Sequence, residues 1–387
     1  MGISSHEWIR THKNEREELQ LQNGTISTRQ FIMLAALFVI GDTILYVPAN
    51  VAFESRQDAW LSALLAMAVG LCAVSLYSAL GKRFPGMTPV DICRRLFGSW
   101  LGTFAGIVLV LFYYVDSGIV LWQVGDFMAT HIMLETPIQS FLILFLLAVV
   151  IGVRFGIVTV ARAAETIFPW VIFLFVLLVL FLAPQIDFRR MQPVLKNGWN
   201  PVIRGSLELM GYYFESFILM MLFPHVRGSK GNGGAYRTGM LIGSTVLAIT
   251  ISLCILVLGP GLTVLNIFTS YVLAKKISIG HFLERIEVFM ASIWFFTLFF
   301  KLLVCFYAAV FGTSQLLGMK DVKPLTLPIA VMVVVGSLVF IPNVAYFNLI
   351  IWKTWWSYTI CLGLALPAFL LVAAIMKYRG NNKNPLS

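Results

Sequence analysis

The first long apolar run of this chain is interrupted at its centre. Residues 31–51 read FIMLAALFVIGDTILYVPANV, with Gly41-Asp42-Thr43 in the middle. About 20 apolar residues can span a bilayer as a helix, but a carboxylate at mid-bilayer costs roughly 2.5–3.5 kcal/mol. Glycine weakens the helix beside it, and Pro48 follows closely. Because backbone that faces lipid must be hydrogen-bonded, we expect this break to face protein or a water-filled cavity and to form part of a binding site.

The composition places the chain among polytopic membrane proteins. Of its 387 residues, 59% are hydrophobic and only 12% are charged, whereas soluble domains carry about 25% charged residues. The net charge of +10 does not indicate a nucleic-acid partner, because the basic residues cluster in short loops, where they orient membrane proteins. The cysteines form no C-x-x-C pair and the histidines have no metal-ligand spacing, so we expect small core cysteines, no metal and no cofactor.

Ten apolar runs predict an all-α membrane protein of about ten transmembrane helices. The predicted spans are 28–50, 58–81, 101–130, 137–154, 164–184, 204–223, 237–259, 287–311, 326–342 and 354–377. A polar tail (1–26) precedes this membrane domain (27–378), and a second tail (379–387) follows it. Lys and Arg are concentrated in the loops on the side of the N-terminus, which predicts that both termini are cytoplasmic.

The sixth span repeats the interruption of the first. Residues 205–216 read GSLELMGYYFES, and Glu208, Tyr212 and Glu215 share one helical face. Broken helices at the start of each half predict two inverted five-helix repeats, with a midplane binding site between broken helices 1 and 6. The alternative is that the two glutamates snorkel or pair structurally. The candidate ligand-binding residues of this span are Gly211, Tyr212, Glu215 and Ser216.

The third span carries a polar stripe at helical spacing. Its candidate site residues are Tyr113, Tyr114, Asp116 and Ser117. Asp116 is the strongest candidate, since a carboxylate within a span faces protein or water. The alternatives are a structural hydrogen bond between helices for Asp116 and ordinary packing for the two tyrosines.

Lys301 lies in the eighth span, within WFFTLFFKLLVCFYAAV, too far from either end to reach an interface. A buried ammonium pairs with a carboxylate or loses its proton. Thr297 lies one turn away on the same face. We hypothesise that Lys301 takes the place of the coupling cation of sodium-driven transporters; the alternative is a purely structural ion pair. The candidate partners are Asp42, Asp116, Glu208 and Glu215.

Several segments resemble one protein family in the same order. They are residues 26–70, the run LGKRFPGMTPVDICRRLFGSWLG, and FLERIEVFMASIWFFTLFFKLLVCFYAAV at 282–310. These segments resemble the B subunit of spore germinant receptors of endospore-forming bacteria, and the similarity extends from about Ile26 to Tyr378. The resemblance implies the amino acid–polyamine–organocation transporter fold. It also implies a germinant-binding subunit in the spore inner membrane that works with a larger A subunit and a C lipoprotein.

The resemblance further implies where a ligand binds. The implied site comprises Gly41, Asp42, Thr43 and Ile44, the face of span 3 from Tyr113 to Ser117, Gly211 to Ser216, and Thr297 with Lys301. Asp42 departs from the small or hydroxyl residues that the family places here. A carboxylate at this position indicates either a ligand with a cationic group or a pairing with Lys301.

We therefore expect a receptor for a small nutrient germinant, an amino acid first, built on a transporter fold. The alternative is a proton-coupled amino-acid permease with Asp42, Asp116 or Glu215 as the proton carrier, because fold alone does not choose between them. A third reading is an assembly subunit with a vestigial cavity. The sequence contains no nucleophile–base pair, metal motif or cofactor loop, so we do not expect an enzyme.

Overall fold

The computed structural model describes residues 24–227, 232–276 and 286–378, and these fold into helices joined by short connections. Within these ranges, nine continuous helical runs are long and apolar enough to cross a membrane. A shorter apolar helix, Thr28–Ile40, supplies the first part of a further crossing. The all-α prediction with about ten spans is therefore confirmed. The predicted tails lie outside the described residues, except for residues 24–26.

Ten spans follow one another in the part of the chain that the structure describes. They are span 1, Thr28–Ile40 with Thr43–Ser55; span 2, Ala59–Arg83; span 3, Pro89–Phe127; span 4, Ile138–Phe155; span 5, Ile157–Leu182; span 6, Trp199–Glu215 with Ser216–His225; span 7, Asn232–Leu253 with Cys254–Leu258; span 8, Glu287–Leu317; span 9, Lys323–Phe340; and span 10, Trp352–Thr359 with Ile360–Ala365 and Leu366–Tyr378.

Span 3 begins twelve residues before the position that apolarity predicts. Thr88 caps this helix, since its hydroxyl oxygen accepts a hydrogen bond from the Asp91 N–H at 3.2 Å. The helix then passes through the basic segment before it bends at Gly98, where φ is +82°. Hydropathy locates the stretch that lies in hydrocarbon, whereas capping residues decide where the helix starts.

Span 1 breaks at the predicted position. Its first helix ends at Ile40, Gly41 follows with φ at +20°, and its second helix begins at Thr43. A Cβ at Gly41 would lie 2.6 Å from Lys301 Cδ and 2.8 Å from the Phe38 carbonyl oxygen. Only glycine therefore lets the stem of Lys301 pack directly against the backbone at the break.

Gly41→Ala is expected to lower the free energy of unfolding by about 1–3 kcal/mol, because the added methyl group collides with Lys301 and with backbone. Chemical or thermal unfolding of the purified chain measures this change. Gly234→Ala is the matched control, since a Cβ there meets nothing within 4 Å. Equal stability of the two variants would contradict the close packing at the break.

Span 6 also breaks, because its α-helix ends at Glu215 and a 3₁₀-helix, Ser216–His225, continues it. The change of helix type alters the hydrogen-bond partner of each carbonyl. The Tyr236 hydroxyl donates to the Ser216 carbonyl, whereas the Tyr77 hydroxyl donates to the Gly363 carbonyl of span 10 at 2.5 Å and lies 3.4 Å from the Phe214 carbonyl. A side chain of span 7 thus satisfies a backbone carbonyl at this break, and Tyr77 of span 2 links the same region to span 10.

The two broken spans also meet at one end of the bundle. The Ile26 N–H donates to the His225 carbonyl at 2.8 Å, and the Arg227 N–H donates to the Ile26 carbonyl at 2.9 Å. This short bridge ties the start of span 1 to the end of span 6 on the side that the charge pattern predicts to be cytoplasmic. The end of the first half of span 1 that is farther from the break is therefore hydrogen-bonded to the last residues of span 6.

Candidate functional site

An ion cluster joins the two breaks. Lys301 Nζ lies 2.5 Å from Asp42 Oδ1 and 2.5 Å from Glu215 Oε2. All three residues are at most 2% exposed. Asp42 comes from the break in span 1, Glu215 from the break in span 6 and Lys301 from span 8. Two of the four candidate carboxylates thus bond this lysine.

The cluster makes the three side chains depend on one another. Taking an ion out of water costs several kcal/mol, and only close, well-oriented partners offset that cost. Removing one member leaves the others buried without compensation. The arrangement therefore fixes the position of both broken spans relative to span 8.

Two aromatic rings complete the surroundings of the ammonium. Lys301 Nζ lies 5.5 Å from the centroid of the Phe38 ring and 5.6 Å from that of the Tyr212 ring. A cation within about 6 Å of a ring face is attracted by its quadrupole. Tyr212, a candidate from the sequence, therefore lies beside the ion cluster.

Trp355 of span 10 is a member of the site that sequence reasoning missed. Its indole N–H donates to Glu215 Oε1, and its ring stacks on Phe112 at a centroid distance of 5.7 Å. π-Helical turns lie on both sides of the α-helical segment Trp352–Thr359, and such turns are frequent at functional sites. The run WKTWW offered no sign that it would reach Glu215.

Asp116 lies on span 3 next to the cluster. Its Oδ2 accepts a hydrogen bond from the Cys305 thiol at 3.0 Å, and Cys305 lies one turn beyond Lys301 on span 8. The Tyr113 hydroxyl is fully buried and has no hydrogen-bond partner among the described residues. Sequence reasoning placed Cys305 in the core and did not foresee its bond to a carboxylate.

Hydroxyl groups lie within hydrogen-bond distance of two backbone carbonyls of span 1, one freed by the break at Gly41 and one left without a helical donor because Pro48 has no N–H. The Thr297 hydroxyl lies 3.2 Å from the Gly41 carbonyl, as well as 2.9 Å from the Ile293 carbonyl of its own helix. The Ser270 hydroxyl donates to the Ile44 carbonyl at 2.6 Å. Protein side chains thereby take carbonyl oxygens that broken helices otherwise offer to cations.

The remaining candidates divide into two groups. The Thr43 hydroxyl lies 3.4 Å from Asp42 Oδ1, next to the cluster. The Ser117 hydroxyl bonds the Tyr113 carbonyl at 2.7 Å, and the Ser216 hydroxyl bonds the Tyr213 carbonyl at 2.6 Å, so both bond within their own helices.

Two candidates face other elements, and a third lies farther along span 6. The Tyr114 hydroxyl donates to the Met332 carbonyl of span 9. Gly211 packs against span 10, because a Cβ there would lie 3.1 Å from Trp356 Cα. Glu208 is half-buried on span 6, two turns before Glu215. The structure therefore does not bring these residues together with the ammonium of Lys301.

An aromatic layer covers the cluster on the side that the charge pattern predicts to be external. The Tyr46 ring packs against Phe268 at a centroid distance of 4.9 Å and against Phe347 at 5.9 Å. The Tyr46 hydroxyl lies 3.5 Å from Asp126 Oδ2. Phe268 and Phe347 lie outside the predicted spans, so hydropathy gave no reason to place them here.

Among residues 24–227, 232–276 and 286–378, no group of three or more His, Cys, Asp or Glu side chains is arranged to hold a metal ion. The cation that the carboxylates of this site hold is the lysine of the chain itself.

The sequence matches a family described as spore germination protein over residues 25–345. Spore germination protein KB of Bacillus subtilis is 28% identical over 327 residues, which cover 84% of this chain and 87% of that protein. Spore germination protein YndE of the same organism is 24% identical over 357 residues, covering 92% of this chain and 98% of that protein. The resemblance noted in the sequence is confirmed.

Solved transporters share the fold. Mhp1, a nucleobase-cation-symport-1 family transporter in a closed conformation with bromovinylhydantoin bound, superposes with a TM-score of 0.66 at 11% identity, covering 92% of this chain and 80% of Mhp1. MhsT in complex with L-phenylalanine gives a TM-score of 0.63 at 15% identity, covering 92% of both chains. The predicted architecture of two inverted five-helix repeats, with broken helices 1 and 6, is confirmed.

Proposed function

This chain belongs to the spore germination protein family, and we propose that it is the germinant-sensing membrane subunit of a spore germination receptor. The observation that supports this most is the buried cluster of Asp42, Glu215 and Lys301 where the two broken helices meet. The proposed ligand is a small nutrient, an amino acid first. It binds at the midplane between spans 1, 3, 6 and 8.

The ligand acts by shifting an equilibrium between two conformations. Asp42 and Glu215 hold the two broken spans to Lys301, so a ligand that bonds these carboxylates changes how the spans are held. A ligand drives the shift only through its different affinities for the two conformations. Spans 1 and 6 close around it, and neighbouring subunits detect the change.

The proposed partners are a receptor A subunit and a C lipoprotein, and the proposed location is the spore inner membrane, with both termini cytoplasmic. The family membership supports both proposals. The exposed apolar side chains on spans 4, 5 and 9, such as Leu144, Trp170 and Val331, suit contact with lipid or with another membrane subunit.

Spores that lack this chain test the proposal when they are complemented with variants. Asp42→Asn is expected to raise the germinant concentration for half-maximal response at least tenfold, because a charge-assisted hydrogen bond contributes about 1.5–3 kcal/mol. Glu135→Gln, a change at an exposed carboxylate, is the control and should leave the response unchanged. An unchanged half-response in Asp42→Asn would favour an assembly subunit with a vestigial cavity.

A proton-coupled amino-acid permease is the second candidate, and three buried carboxylates, Asp42, Asp116 and Glu215, favour it as possible proton carriers. Uptake of labelled L-alanine by the full chain in liposomes separates the two functions. The receptor proposal expects no accumulation above that of empty liposomes under a proton gradient. Accumulation that follows the gradient would favour the permease.

The germination response is expected to be independent of sodium. Lys301 bonds the Asp42 carboxylate, and the hydroxyls of Thr297 and Ser270 lie at carbonyls near the break in span 1, so groups of the protein take the oxygens that a sodium ion would need. Replacing all sodium by potassium should leave the germinant concentration for half-maximal response within about twofold, which is roughly 0.4 kcal/mol. Germination of spores in the two salts at equal ionic strength measures this. A response that disappears without sodium would contradict the proposed role of Lys301.

A further inference from the structure

Lys301 occupies a site that is built for a primary ammonium. Two carboxylate oxygens lie 2.5 Å from its Nζ, and two aromatic rings lie within 5.6 Å of it. Carboxylates and ring faces are the groups that recognise organic ammonium ions in proteins. The ammonium group of Lys301 differs from that of a small amine ligand in being tethered to span 8.

A third carboxylate, that of Asp116, offers Lys301 an alternative partner. Asp116 is 1% exposed, and it bonds the thiol of Cys305, which lies one turn beyond Lys301 on span 8. When all three carboxylates are ionised, one ammonium leaves negative charge in excess, which a low-dielectric interior penalises. A second ammonium reduces that excess, whereas a neutral sugar or nucleoside leaves it unchanged.

The unpaired hydroxyl of Tyr113 is an independent observation that points to a ligand in the same region. This hydroxyl is fully buried and has no partner among the described residues, and Tyr113 lies about one helical turn before Asp116 on span 3. The Cys305 thiol donates to Asp116. Buried hydroxyl groups are almost always hydrogen-bonded, so the Tyr113 hydroxyl is available to a polar group of a ligand that binds along span 3.

We propose that the ligand carries an ammonium group that replaces Lys301 at Asp42. Lys301 keeps Glu215 and moves toward Asp116, so that two ammonium groups are shared among three carboxylates. The ligand class is therefore small amines and amino acids rather than sugars or nucleosides. This inference rests on the proposed function and specifies the chemistry of its site.

The exchange makes Lys301 an internal competitor of the ligand. Binding requires that the bond between Lys301 and Asp42 be opened. Only the fraction of molecules in which Asp42 is free of Lys301 can bind, so the apparent affinity is lowered in proportion to that fraction. The same exchange removes the ion pair that joins the break in span 1 to span 8. Ligand binding and the movement of span 1 are thus one event.

The full chain, purified in lipid nanodiscs, allows a direct test by its thermal unfolding midpoint. The probes are L-alanine, L-asparagine, putrescine, D-glucose and inosine. We expect at least one ammonium-bearing probe to raise the midpoint and neither D-glucose nor inosine to do so. For that probe, Lys301→Met should bind at least tenfold more tightly than the unmodified chain, and Asp42→Asn at least tenfold more weakly. Lys353→Met and Glu135→Gln, at exposed positions, are the controls.

The outcomes separate this inference from the proposed function. A midpoint raised only by D-glucose or inosine would leave a ligand receptor in place and overturn the ammonium class. Binding of an amine that Lys301→Met does not strengthen would overturn the exchange. If Lys301→Met does not fold, Asp42→Asn, which keeps the bond between Lys301 and Glu215, decides through its loss of amine affinity. No shift with any probe would count against both proposals.

Discussion

Lys301→Met is expected to lower the free energy of unfolding by about 3–5 kcal/mol, because it leaves buried carboxylates without their counter-ion. Methionine keeps most of the length of the stem that packs on Gly41, so the change isolates the charge. Unfolding of the purified chain in detergent, followed by intrinsic fluorescence, measures the loss.

Lys353→Met serves as the matched control, since Lys353 is exposed on span 10, and it should change stability by no more than about 0.5 kcal/mol. Adding Asp42→Asn and Glu215→Gln to Lys301→Met should restore much of the lost stability, because the uncompensated charges are then gone. A triple variant no more stable than Lys301→Met would show that the packing of the lysine stem, rather than its charge, holds the breaks together.

Glu215→Gln is expected to abolish the response to germinant, or to raise the half-maximal concentration at least a hundredfold. The change removes the charge that holds span 6 to Lys301, and truncating one side of a buried charge pair costs about 2–5 kcal/mol. The glutamine amide keeps an oxygen for the Trp355 indole, so the contact with span 10 can persist. Germination of complemented spores over a range of germinant concentrations measures the effect.

Trp355→Phe tests Oε1 of Glu215, the oxygen that does not bond Lys301. Phenylalanine keeps an aromatic ring against Phe112 but loses the N–H that Glu215 accepts. A shift of about three- to tenfold in the half-maximal concentration is expected, smaller than that of Glu215→Gln, because a neutral donor is lost. If spores that carry Glu215→Gln respond as spores with the unmodified chain do, Glu215 is not part of the germinant site.

The break in span 1 could be predicted because its signal is local. A glycine and a carboxylate in the middle of an apolar run are incompatible with a helix that faces lipid. Span 6 gave the same signal through Glu215, and Lys301 was identifiable because a lysine at mid-bilayer requires a partner. The sequence therefore indicated which polar groups were buried, and it restricted the possible partners of Lys301 to a few carboxylates.

The pairing itself depends on contacts between distant residues. Asp42 and Lys301 are separated by 259 positions, and Glu215 and Lys301 by 86, so no periodicity within one span relates them. Trp355 was missed because a tryptophan in a late span is ordinarily a packing or interfacial residue. Tyr114 carried the same local signal as Tyr113, yet it bonds span 9, because neighbouring residues on a helix point in different directions.

The central claim is that the junction of the two breaks binds the germinant. Equilibrium binding of the germinant that the spore response identifies, measured on the full chain purified in nanodiscs, tests this claim most directly. The account predicts saturable binding to the unmodified chain and binding at least tenfold weaker to Asp42→Asn, with Glu135→Gln unchanged. Equal affinity of the unmodified chain and Asp42→Asn would contradict it.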